Sequence, residues 1–528
     1  MSTVTSRTFQ DIRRALLAHE ELALIDVREE DPFAQAHPLF AANIALSKLE
    51  LEIYARVPRR DTAITLYDDG EGLAAQAAQR LLALGYSDVA LLQDGLAGWR
   101  AAGGELFRDV NVPSKAFGEL VESVRHTPSL AAEQVQALLD DKADVVVLDA
   151  RRFDEYQTMS IPGGISVPGA ELVLRVAELA PNPATQVIVN CAGRTRSIIG
   201  TQSLVNAGIP NPVAALRNGT IGWTLAGQQL AHGQERRFTE VSDNNRAAAT
   251  ERARKVADKA GVLRLDRAGL QGWQAEASRT SYLFDVRTPE EYAKGHVPGS
   301  RSVPGGQLVQ ETDHVASVRG ARIVLIDDDG VRANMSASWL AQMGWQVAVL
   351  DGLTAADFSE AGEWNAPLPA LAQVTEIGVE QLQGWLEAPG TVVLDFTASA
   401  NYVKRHIPGA HWAIRAQLPQ VLERLPVAER YVLTCGSSLL ARFAAVDLQA
   451  LTQTPVFLLA GGTASWITAG KPLESGETHL AVPRTDRYRR PYEGTDNPRE
   501  AMQGYLDWEF GLIAQLERDG THGFRVLI

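Results

Sequence analysis

Short unbroken apolar runs that end on an acidic residue recur four times along the chain: ALIDVR around Asp26, VVLDAR around Asp149, YLFDVR around Asp285 and VVLDFT around Asp395. A second apolar run follows each, in AITLYDDG, QVIVNCAG, RIVLIDDD and YVLTCGSS, and the residue that closes it is Asp68, Cys191, Asp327 and Cys435 in turn. The spacing from the first aspartate to that residue is 42, 42, 42 and 40 positions. Short runs without polar alternation predict strands buried on both faces, as a parallel sheet requires. Behind each second strand, RLLALGY, SLVNAGI, WLAQMGW and DLQALTQ predict a helix ending in a turn. A third strand then runs into a turn carrying Trp99, Trp223, Phe358 or Trp466. Strands alternating with helices make each unit an α/β domain with a parallel sheet flanked by helices.

The repeats divide the chain into 1–108, 109–240, 262–368 and 369–476, arranged as two pairs. Residues 241–261, charged and Ala-rich, read as a solvated linker helix, and 477–528 form a C-terminal extension. Each pair holds a cysteine-free copy, with Asp68 or Asp327 at the key position, followed by a copy with Cys191 or Cys435.

Composition narrows the function. With 45% hydrophobic and 22% charged residues, the 528-residue chain has the make-up of a soluble globular protein with several cores. A net charge of -14 argues against nucleic acid or an anionic membrane as the main partner. The N-terminal stretch lacks an apolar signal core and no apolar run approaches a membrane span, so a cytoplasmic location is expected. Homo-oligomerisation stays open.

Cys191 and Cys435 are the only cysteines, 244 positions apart, which excludes a disulfide scaffold and any CxxC zinc site. Taken singly, each reads as a small buried apolar side chain. Their landing on one repeat position, at a strand C-terminus opening into a helix, favours a ligand site instead. In Cys191-Ala-Gly-Arg-Thr-Arg196-Ser197, the N–H groups and dipole of the coming helix favour negative charge, and Arg194 and Arg196 add to it. A thiolate at Cys191 is then a nucleophile, and the same cradle suits a persulfide anion.

The ordered series Asp-x-Arg, Glu-Tyr, His-Val/Ile-Pro-Gly, a Cys loop ending in Arg-Ser, and Gly-x-x-x-Trp resembles the rhodanese superfamily over nearly the whole chain. The resemblance implies a sulfurtransferase that carries sulfane sulfur from a donor such as thiosulfate, through a cysteine persulfide, to cyanide or a thiol. It implies Cys191 and Cys435 as catalytic residues and a donor-binding loop of Gly193, Arg194, Arg196 and Ser197 in copy two. In copy four the loop is Gly436, Ser437 and Ser438. The partners it implies are a small sulfur donor and a thiophilic acceptor, with no cofactor and no metal. Gly193 stands one place earlier than the glycine of many single-domain relatives. The Cys435 loop has no basic residue before Arg442 and looks more like that of mercaptopyruvate sulfurtransferases, with Ser438 and Leu440 in place of that pattern's Gly and Thr.

Alternatives are a mercaptopyruvate-type enzyme and a non-enzymatic sulfur carrier or regulatory module. A phosphatase of the same fold is disfavoured, because Cys191 to Arg196 is one residue shorter than a Cys-x5-Arg phosphate loop. The acids around Asp68 and Asp327 repel an anionic donor, which makes copies one and three scaffolds. Arg151 beside Asp149 reads as a structural salt bridge, the tryptophans as packing, and His406 and His411 as loop residues. In the extension, Arg487, Arg489 and Arg490 beside Tyr488 and Tyr492 either lie over a cysteine loop or belong to a strap across the domains.

Overall fold

The computed structural model describes residues 4–528 and contains four five-stranded parallel sheets, one per repeat. In copy one the strands are β1 (Thr5–Arg7), β2 (Ala23–Asp26), β3 (Ala42–Asn43), β4 (Ile64–Tyr67) and β5 (Val89–Leu92), in the order β1-β5-β4-β2-β3. The other three sheets repeat this order. Every residue of β2 and β4 is buried, because helices cover both faces and leave no side of the strand for polar alternation. The first apolar run of each repeat pairs with the second, for example Ala23 with Ile64 and Val147 with Ile188. The acidic end of one strand therefore lies beside the Asp or Cys end of the next.

The Asp-x-Arg ends form closed pairs. Arg151 donates from Nε and Nη2 to the two Asp149 oxygens at 2.9 and 2.7 Å, and both side chains are buried. Copy four, with Phe396 and Thr397 after its aspartate, lacks this arginine. There, among the described residues, Asp395 accepts only the Thr397 N–H at 2.8 Å, and its Oδ2 has no partner. The tryptophans pack, with Trp99, Trp223 and Trp466 buried and each indole N–H donating to a backbone carbonyl six residues on. His406 stacks on Tyr402 and is fully buried.

Although the copies follow each other as pairs along the chain, packing also runs between the pairs. Copies one and three share one apolar core, in which Ile25 and Leu66 join Phe284 and Leu325 through Phe117 and Phe524. Arg415 of copy four grips Glu50 of copy one with two bonds of 2.6 and 2.9 Å. Arg332 of copy three reaches Glu171 of copy two at 2.9 Å.

The linker differs from its expected solvated state. It forms a helix, Asp243–Lys259, but Ala249, Ala253, Val256 and Ala257 are buried between copies two and three. Alanines at a spacing of four make a stripe narrow enough to pack closely, which a composition dominated by charge conceals. A second connecting helix, Val112–Arg125, is buried along most of its length against copy two, copy three and the helices of the extension. The extension is a strap. It leaves copy four, pairs Arg490 with Glu30 of copy one at 2.9 Å, lays the helix Arg499–Phe510 on copy two, and bonds Arg525 N–H to Gln342 O of copy three at 2.8 Å.

Candidate active site

Cys191 follows the strand Gln186–Asn190 and precedes the helix Thr195–Asn206. The turn after the next strand braces its loop. The Thr220 N–H donates to the Cys191 carbonyl at 2.9 Å, and Ile221 donates to that of Ala192 at 3.0 Å. Gly219 makes the approach possible. It has φ of +54°, and a Cβ there would stand 2.2 Å from the Cys191 carbonyl oxygen. Gly462 serves the Cys435 loop in the same way, at φ of +63° and 2.3 Å.

The Cys191 thiol donates to Ser197 Oγ at 3.3 Å, and that hydroxyl donates to the Arg194 carbonyl at 2.8 Å. Burial pushes the thiol up, while the Arg196 charge and the Ser197 contacts pull it back. Arg196 is held by Glu155 through two bonds of 2.7 and 2.9 Å. Although burial opposes it, Arg196 keeps the Glu155 carboxyl at about 2, so this pair is ionised. Arg194 does not join Arg196 at the sulfur. Its guanidinium donates to Glu119 at 2.7 and 2.8 Å, to Glu122, and to Asn218 Oδ1 at 3.1 Å, and it stacks on Phe510. It ties the loop to the helix Val112–Arg125 rather than presenting a free cation.

Residues 191–195 are all buried, and Cys191 is 1% exposed. The tail helix Arg499–Phe510 does much of the covering: a Cβ on Gly193 would meet the Tyr505 ring at 3.1 Å and Glu509 Oε2 at 3.5 Å. Lys115, Glu119, Tyr492, Tyr505 and Glu509 thus surround the loop, and of these only Tyr492 belongs to the run that the sequence offered as a cover for a cysteine loop. The aromatic, basic run before this helix was the available signal, but its arginines point elsewhere. Arg487 pairs with Glu493, Arg489 with Asp496 and Arg490 with Glu30, while Tyr492 goes toward the loop.

The second cysteine loop is open. Cys435 is 5% exposed, but Gly436 and Ser437 next to it are exposed. Burial raises this thiol too, and the backbone N–H groups of Ala441, Leu440 and Ser437 oppose the rise. This is the anion cradle of a helix start. Ser438 adopts φ of +69°, the left-handed conformation that favours glycine, and turns its hydroxyl to the Leu459 carbonyl at 2.5 Å. Arg442 pairs with Glu376 at the surface. Among the described residues no cation stands beside the sulfur, and Asp395 adds repulsion.

In copy three, Asp327 sits where the sulfur would be and accepts the N–H groups of Gly330 and Ala333 at 3.0 and 2.8 Å. Burial and the adjacent Asp329 push its carboxyl well above the usual range. Among the described residues no group of three or more His, Cys, Asp or Glu side chains is placed to hold a metal ion, and no helix is long and apolar enough to cross a membrane.

The family profile of the rhodanese-like domain matches residues 10–102, 131–226, 265–354 and 378–469. A crystal structure of thiosulfate sulfurtransferase from Pseudomonas aeruginosa is 78% identical, with a TM-score of 0.98, covering 99% of this chain and 100% of that one. Two curated relatives match over a much shorter stretch. The HTH-type transcriptional regulator Rv0324 of Mycobacterium tuberculosis is 30% identical over 93 residues, which are 18% of this chain and 40% of the regulator. The uncharacterized protein YibN of Escherichia coli K12 is 26% identical over 85 residues, 16% of this chain and 59% of YibN. Four sheets of one topology, two of them ending in a cradled cysteine, and a family match in every repeat lead to one conclusion: the chain belongs to the rhodanese family.

Proposed function

We propose that this chain is a sulfurtransferase of the thiosulfate type, working through persulfides on Cys191 and Cys435. The observation that carries this is the placement of both sulfurs at strand-to-helix turns, where groups that stabilise an anion oppose the burial that raises each thiol. Arg196 and Ser197 serve Cys191, and three N–H groups serve Cys435. The likeness over the full chain to the Pseudomonas enzyme supports it.

In the first half-reaction the cysteine thiolate attacks the outer sulfur of thiosulfate. A new S–S bond forms, the bond to the sulfite sulfur breaks, and sulfite leaves with its electron pair. In the second, cyanide or a thiolate attacks the outer persulfide sulfur, and the cysteine leaves as thiolate. Arg196 offsets negative charge through both steps, with Glu155 fixing its orientation. Gly193, Arg194, Gly436, Ser437 and Ser438 shape the two loops, through backbone groups and bracing rather than through a free cation. Free thiols at both positions suit the reducing cytoplasm.

For Cys435 a second donor class has its own support. A loop with N–H donors and no cation favours a donor with less charge to neutralise, such as mercaptopyruvate. The test is intact-protein mass spectrometry of Cys191→Ser and Cys435→Ser after incubation with each donor. Gain of one sulfur on the remaining cysteine is expected in both variants. Absence of that adduct with every donor overturns the assignment.

A further inference from the structure

We infer that Glu509, carried by the C-terminal strap against the Cys191 loop, is a positioning residue of that site: its carboxyl, facing Gly193, controls whether a thiolate and an anionic donor can share the closed loop. The inference rests on the sulfurtransferase reading above and adds a residue from outside the repeats.

Glu509 is fully buried. Its Oε1 accepts the Tyr505 hydroxyl at 2.9 Å and lies 3.5 Å from Thr195 Oγ1 in the cysteine loop. Its Oε2 has no hydrogen-bond partner among the described residues, and it faces Gly193, two residues from the nucleophile. The cations in reach are committed elsewhere. Lys115, from the connecting helix, donates to Asp109 at 2.6 Å and lies over the rings of Tyr492, Tyr505 and Trp508. Arg194, from the loop, is held by Glu119 and Glu122. Glu119 itself faces Glu509 with like charge.

Burial and the Glu119 charge push the Glu509 carboxyl up to about 8, against the pull of Lys115, Tyr505 and Arg194. At neutral pH the group is therefore an acid. An ionised Glu509 would push the Cys191 thiol further up. The same charge would repel a dianionic donor in a closed, low-dielectric loop. The neutral acid removes both penalties, and its O–H is left to donate toward an anion in the loop.

The full chain carrying Cys435→Ser isolates Cys191. Two rates are followed between about pH 6 and 10 by mass spectrometry: thiosulfate loading, and alkylation by iodoacetamide without donor. Loading should fall above about pH 8 with Glu509 present, and Glu509→Gln should abolish that fall, a difference of roughly ten-fold at pH 9. The alkylation profile should move to lower pH in the same variant. Tyr505→Phe removes the bond that favours the carboxylate, so the alkaline fall should move to higher pH. An alkaline fall unchanged by Glu509→Gln overturns the inference and leaves the sulfurtransferase reading standing. If that variant does not fold, a fall unmoved by Tyr505→Phe has the same force. If no variant loads sulfur but alkylation shifts as described, the sulfurtransferase reading fails and the coupling of Glu509 to Cys191 holds.

Discussion

The Asp68 carboxylate accepts the backbone N–H of Ala74 at 2.9 Å through one oxygen and that of Gly70 at 3.0 Å through the other. An internal anion thus occupies the position that the cysteine sulfur takes in copies two and four. The cradle is a property of the strand-to-helix turn, and it survives without the nucleophile because the carboxylate satisfies it.

Asp68→Cys and Asp327→Cys are expected to be poor sulfur acceptors even though their cradles are intact. Asp69 and Glu71 flank the first, and Asp328 and Asp329 the second, so a thiol pKa rises at either position. One unit of rise leaves roughly ten-fold less thiolate at neutral pH. Mass spectrometry after thiosulfate should show loading at least about ten-fold slower than at Cys191. Loading as fast as that of Cys191 would show that local charge does not distinguish the copies.

Arg196 and Arg194 should separate in their effects. Arg196→Ala removes the cation beside the sulfur and should slow loading of Cys191 by about 10- to 100-fold, with a smaller loss of stability from the half-buried Glu155 left unpaired. Arg194→Ala leaves Glu119, which is 4% exposed, without its partner, and should cost about 3 kcal/mol of stability. Thermal unfolding and single-turnover loading of the two variants, side by side, check this. Equal loss of loading at equal stability would contradict it.

The two cysteines should differ in access. Gly436 and Ser437 are exposed beside Cys435, whereas the Cys191 loop lies under the tail helix. Iodoacetamide should modify Cys435 at least about ten-fold faster than Cys191. Comparing thiosulfate with mercaptopyruvate on Cys191→Ser and Cys435→Ser should give different donor ratios, with thiosulfate favoured at Cys191. A common ratio would remove loop charge as the source of specificity.

Glu155, paired with Arg196 and held at about 2, is a source of acid sensitivity. Its folded pKa lies below its unfolded value, so its contribution is full above about pH 4.5 and is lost as pH falls toward 2. Glu155→Gln should lower stability at pH 7 and flatten the acid limb of an unfolding curve across that window. A limb of unchanged slope would mean that other carboxylates govern acid unfolding.

Phe524, four residues from the end of the chain, packs edge-on against Phe117 and Phe40 in the core shared by copies one and three. Phe524→Ala should cost about 3–4 kcal/mol and lower the melting temperature. Calorimetry of the full chain measures it. A change below about 1 kcal/mol would show that the strap end does not bind these copies together.

By itself the sequence determined the repeat, the sheet class and the two candidate nucleophiles. Unbroken apolar runs and a constant spacing from Asp149 to Cys191 are local signals, written into consecutive residues. What surrounds Cys191 was decided by tertiary structure. Glu509 and Lys115 reach one loop from more than 300 positions after it and 76 positions before it, and no periodicity links such distances. The Arg194 and Arg196 side chains look equivalent in the sequence, yet the buried Glu119 claims one and the half-buried Glu155 the other, because the fold brings a different carboxylate to each guanidinium. The linker was legible as a helix and the extension as a strap across the domains, but which of their side chains are buried was not. Whether an alanine stripe or a lone Phe524 is covered depends on which surfaces the other domains present.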